Sequence, residues 1–137
     1  MQGRSSNART VVTGAVLGAV VPGLGGRLAT AVLAAALGVP ANLSAVGLAE
    51  ATLVGSIWGV VGATVLLAID RSGFARLPRG VAAGAAPFVG SAMLAVAVGH
   101  GPDLGRADGW ATTLTAAAVF LLFGLALARA VPVRRPR

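Results

Sequence analysis

The chain contains no cysteine, no lysine and no tyrosine, and only four acidic residues and one histidine in 137 positions. Without thiols it forms no disulfide, no thiolate nucleophile and no cysteine-based metal site. A single histidine cannot build a histidine-rich zinc or haem site. The apolar stretches hold no Ser, His and Asp set for nucleophilic catalysis. Gly23-x-Gly25-x-x-Leu28 lacks the third glycine of a dinucleotide fingerprint, and no strand pattern precedes it. No catalytic residue, no resident metal, no cofactor and no enzymatic activity are therefore expected.

What the chain has in quantity is apolar length. Hydrophobic residues make up 56% and charged residues 11%, against roughly 45–50% and 25% in soluble domains. Four long apolar stretches run over 11–37, 44–69, 81–98 and 110–128. At about 1.5 Å per residue each is long enough, or nearly so, to cross about 30 Å of hydrocarbon. The expected fold is an all-α integral membrane protein, one domain over 1–137 with four transmembrane helices in a compact bundle.

The arginines set the expected orientation. Arg4 and Arg9 precede the first stretch, Arg71, Arg76 and Arg79 lie between the second and third, and Arg129, Arg134, Arg135 and Arg137 follow the fourth. The connection after the first stretch has no arginine, and the one after the third has only Arg106, offset by Asp103 and Asp108. Short loops rich in basic residues stay cytoplasmic, so both termini and the 70–80 connection are expected inside. The net charge of +7 is explained by this topology rather than by nucleic-acid binding, because the arginines hug the span ends. Their expected partner is the lipid bilayer, where each juxtamembrane basic residue gains about 1 kcal/mol at an anionic surface. The use of arginine throughout suggests a GC-rich genome, and hence a bacterial inner membrane. A second reading of the N-terminus is a secretory signal ending near Ala29-Thr30-Ala31. Arg27 and the apolar pattern resuming at Leu28 argue against it.

Small residues recur every fourth position within the spans. Gly14, Gly18, Pro22, Gly26, Thr30 and Ala34 form one ridge, Gly47, Ala51, Gly55, Gly59 and Ala63 a second, and Ala83, Pro87, Ser91, Ala95 and Gly99 a third. Such ridges let helix backbones approach closely in lipid. They are expected to pack inside one chain, with a dimer face as the alternative. The fourth stretch, bulky nearly all round, is expected to face lipid more than its neighbours. Two prolines interrupt the helical pattern. Pro22 opens the run Pro22-Gly23-Leu24-Gly25-Gly26, where the first span either continues as a long tilted helix or breaks into two half-helices. Pro87 reads as a simple kink.

Two charges fall inside the apolar stretches. Arg27 lies about 15 Å, and Glu50 about 9 Å, from the nearest span end at helical rise. Intramembrane charges usually face the bundle interior with a partner, which makes Arg27 and Glu50 a candidate ion pair. The one histidine, His100, shares the last connection with Asp103 and Asp108, a loop expected to be a solvated turn rather than a metal site. Trp110 reads as an interfacial aromatic and Trp58 as a packing residue. The expected role is structural or accessory, through association with a second copy or with a larger membrane complex. The alternative is an oligomeric small-solute or ion transporter or channel using Arg27 and Glu50.

Overall fold

The computed structural model describes residues 2–40, 43–72, 79–99, 101 and 106–131. The elements are α1 (Gln2–Gly18), a π-helical segment (Ala19–Gly25), α2 (Gly26–Ala36), α3 (Ala45–Ser72), α4 (Arg79–Ala97) and α5 (Ala107–Ala130). The described residues contain no strand. Four helical stretches are long and apolar enough to cross a membrane: Ser5–Ala36, Ala45–Asp70, Arg79–Ala97 and Asp108–Ala130. The protein is an all-α, multi-pass membrane protein.

The helix boundaries follow local chemistry. Ser44 caps α3, its hydroxyl accepting from the backbone N–H of Gly47 at 3.0 Å. The end of α2 is a left-handed glycine turn. Gly38 has φ +69°, its N–H donates to the Ala35 carbonyl at 3.2 Å, and the N–H of Val39 donates to the Ala34 carbonyl at 2.8 Å, the bond pair of a Schellman cap. Gly99, with φ +74°, turns the chain at the end of α4 in the same way, its N–H donating to the Val96 carbonyl at 3.1 Å. Membrane helices must also satisfy their hydroxyls internally. Thr10, Thr52, Ser56 and Thr64 do so by donating to the carbonyl four residues back.

The first span is one continuous helix. It does not break at Pro22, because the backbone stays in the right-handed helical region at Gly18, Gly25 and Gly26. Proline offers no N–H to the carbonyl four residues back. In the i→i−5 pattern of a π-helix the donor opposite the Gly18 carbonyl is Gly23, one residue on, so the π segment absorbs Pro22 without a gap. α4 likewise runs unbroken through Pro87. Proline removes the donor to the Ala83 carbonyl, and that oxygen instead faces Gly62 of α3, 2.7 Å from where a Cβ would stand there.

Consecutive spans are antiparallel and close into a ring, with the first span against α3, α3 against α4, α4 against α5 and α5 back against the first span. Glycines form the tightest seams. The carbonyl of Gly14 lies where a Cβ of Gly59 would be, and the carbonyl of Gly59 where a Cβ of Gly14 would be; Gly18 and Gly55 face each other in the same reciprocal way. Gly80 and Gly84 of α4 meet Gly124 and the Phe120 carbonyl of α5 similarly. The ridges of the first two spans are therefore buried on each other within the chain.

Two details differ from the sequence pattern. The first-span face packed on α3 runs Gly14, Gly18, Gly23, Arg27, because the π segment inserts one residue; Gly26 instead points at Val119 of α5. The fourth span, with 17% of its most apolar window inside the protein, faces lipid more than the second and third spans do but less than the first. Phe123 and Leu127 are 0% exposed and sit in the core with Ala63, Leu66 and Ala83. The first span is the least buried, with 11% of its most apolar window inside the protein against 33% for the second. Its bulk-poor inner face is consumed by the glycine seam, which leaves its branched residues outward. The core cluster occupies the half of the bundle nearest the chain termini, and the other half is looser.

Candidate intramembrane site

The looser half contains a cavity of about 270 Å³. All four spans contribute to it: Pro22, Gly23, Gly26, Arg27 and Thr30 from the first, Ala51, Val54, Gly55 and Trp58 from α3, Ser91 from α4, and Thr115, Ala116, Val119 and Phe120 from α5. The π segment and the glycines create it. They bring the backbones close near Gly18 and Gly55, and the first span then leaves unfilled volume against α5. Every hydroxyl in the wall is spent on its own helix. Thr30 donates to the Arg27 carbonyl at 2.9 Å, Ser91 to the Phe88 carbonyl at 2.8 Å and Thr115 to the Ala111 carbonyl at 2.8 Å. The lining is consequently apolar, with one charged side chain in it.

That side chain is Arg27. Its guanidinium lies against Gly47 of α3, with Nη2 3.3 Å and Nε 3.8 Å from where a Cβ would stand. Gly47 is the third residue of α3, so the guanidinium reaches the end of that helix although its own Cα is well inside the first span. Gly47 thus makes room for an arginine rather than for another helix, unlike Gly14, Gly18, Gly55 and Gly59. Glu50, one turn further along α3, is exposed and is absent from the cavity wall. Asp70 pairs with Arg79, and Arg106 with Asp108. The π segment brings Arg27 onto the face that meets Gly47.

The buried pair lies at the opposite end of the bundle. Arg79 Nη2 and Asp70 Oδ2 are 2.7 Å apart, with side chains 12% and 7% exposed. It ties the end of α3 to the first residue of α4. Arg79 Nε is buried without a hydrogen-bond partner. Sequence reasoning took Arg79 only as a topology signal; an Asp and an Arg closing a short connection between two spans was the available clue. Arg106 and Asp108 are 3.3 Å apart and exposed, a pair of little energetic weight. His100 and Asp103 lie outside the described residues, and among the described residues no three His, Asp or Glu side chains group closely enough to hold a metal ion. Trp58 lies over Gly90, and Trp110 is exposed at the start of α5.

The arrangement can hold an apolar group beside a cation. Compared with protein-family models, curated proteins and solved structures, the chain matches none.

Proposed function

We propose that the protein is a structural or accessory subunit of a bacterial inner membrane, with both termini cytoplasmic, that docks onto another membrane protein through its first span. The observation that carries this reading is an unpartnered aliphatic stripe. Val12 and Val16 before the π segment, Val20 and Leu24 within it, and Leu28 and Val32 after it are all exposed along the first span. The small residues that most often mediate helix association in lipid are spent inside the chain. The branched stripe is therefore the surface left for a partner, which is either a larger complex or a second copy. A photocrosslinker at Val16 or Val32, in native membranes, is expected to capture protein, while the same group at Met93 of α4 captures lipid alone. Lipid-only products at all three positions would remove the docking role.

A transporter or channel is the second reading, favoured by a cavity bounded by a π segment, a feature frequent at functional sites. Its chemistry suits ions poorly. The wall is apolar, and Arg27 repels cations. Glu50 stands outside it. Counterflow of a labelled solute in vesicles holding the purified protein would raise this reading over the first.

A further inference from the structure

Among the described residues, Glu50 is the one acid inside a span, with apolar helix on either side. Asp70 and Asp108 each stand at a span end and are taken up in ion pairs. Glu50 is exposed, and the face it occupies is aliphatic. Val46, Leu53, Val54 and Ile57 are 49% to 67% exposed, and with Glu50 they share about 100° of arc at 3.6 residues per turn. In the membrane this face meets lipid tails. We propose that it receives a helix of another membrane protein that carries a basic side chain, Arg or Lys, opposite Glu50. The proposal rests on the accessory role, adds a second surface to it and names what the partner must present.

The chemistry of the group narrows the partner. Thr52, Ser56 and Thr64 of α3 are satisfied from within, each donating to the carbonyl four residues back. An ionised carboxylate only accepts, so it has no proton to return to its own helix. Glu50 is the sixth residue of α3, and past the first turn the helix N–H groups are already engaged with carbonyls. Lipid tails supply no donor. An intramembrane acid therefore calls for a donor on another element, and a guanidinium or ammonium group brings donors and the opposite charge together. A purely aliphatic helix would cover Val46, Leu53 and Ile57 equally well but leave the carboxylate against hydrocarbon. A second copy fits less well. Pairing this face with itself about a two-fold axis sets Glu50 against Glu50, and like charges across an interface repel. The exposed arginines of the described chain, Arg9, Arg106 and Arg129, stand near span ends, so a copy offers no exposed arginine from the interior of a span.

The probe is a single-pass Leu-Ala peptide with one Arg, Leu or Glu at the depth of Glu50, dansyl-labelled and added to phosphatidylcholine vesicles holding the full-length protein. Energy transfer from the protein's two tryptophans reports association. The Arg peptide is expected to reach half-maximal transfer at about tenfold lower mole fraction than the Leu peptide, the low end for close charge pairs at an interface. The Glu peptide should gain nothing over Leu. Glu50→Leu should erase the Arg preference without lowering the thermal melt in detergent, because the position is exposed. Equal transfer by the Arg and Leu peptides, or an Arg preference that survives Glu50→Leu, overturns the proposal. A melt lowered by Glu50→Leu assigns the carboxylate to its own chain, with Arg27 the first candidate, and overturns it as well. Energy transfer between donor- and acceptor-labelled copies that is lost on Glu50→Leu assigns the face to a second copy instead. Crosslinking at Val16 and Val32 reads the docking role separately: capture of protein there without any Arg preference keeps that role and removes the charge.

Discussion

At the scale of single residues, the buried Asp70–Arg79 contact carries the largest electrostatic stake. Removing one partner strands the other charge away from water, at about 3 to 5 kcal/mol for pairs buried this far. Asp70→Leu and Arg79→Leu are each expected to lower thermal stability in detergent more than the double replacement does. Strictly additive losses would show that the pair contributes nothing as a pair. The glycine seams make a second claim at this scale. Gly55→Ile or Gly59→Ile places a branched side chain on the backbone of the first span and should cost on the order of 3 kcal/mol or prevent assembly. Leu122→Ile, at a position 62% exposed, should stay within about 0.5 kcal/mol. Equal tolerance at the three positions would mean that the seam is not an interface. The seam between the first span and α3 was readable in the sequence because small residues four apart have one dominant use in lipid. The α4–α5 seam at Gly80, Gly84 and Gly124, by contrast, lies off the expected ridge of Ala83, Pro87, Ser91, Ala95 and Gly99. The contact of Arg27 with Gly47 was not readable either. Depth along a helix says how far a charge lies from an end, but not which way its Cα–Cβ bond points.

At the scale of elements, the π segment accounts for what periodicity missed. A strict four-residue ridge assumes constant winding. One inserted residue carries Gly23 and Arg27 onto the face where Pro22 and Gly26 were expected. Proline and glycine in the sequence flagged a disturbance at this place, but a break, a kink and a π turn all begin from the same missing N–H. The distinction yields an unusual expectation. Deleting Pro22 outright leaves Gly23 four residues after Gly18, restoring regular α-helical bonding while keeping Gly14, Gly18, Gly23 and Arg27 in line. That deletion should cost no more than about 1 kcal/mol. Deleting Val16 from regular α-helix instead rotates the two halves of the span by about 100° relative to each other and should unfold the protein. Thermal melts of both deletions in the same detergent decide it. Equal damage from the two would contradict the π assignment.

At the scale of the whole molecule, the four-span outline and its boundaries were plain from apolar length, and the helices differ from the expected stretches mainly at the start, where α1 begins at Gln2. Orientation rests on the arginine distribution. Because the chain has no cysteine, single cysteines introduced at Ser5 and Gly101 are each the sole thiol. A membrane-impermeant maleimide added to intact cells should label the Gly101→Cys protein and spare the Ser5→Cys protein until the cells are opened. Labelling of both from outside would sink the proposed topology.

The bundle is also two objects in one. The first span and α3 are zipped by one set of glycines, α4 and α5 by another, and α3 meets α4 across the seam that Asp70 and Arg79 close. Each zipped pair buries its own backbone contacts before the other exists, so a ribosome can deliver the first pair to the bilayer as a finished hairpin while the second is still being made. The join in the chain between Ser72 and Arg79 then links two halves made one after the other. Two separate polypeptides cut there, expressed together, are expected to find each other and reform the same four-helix ring.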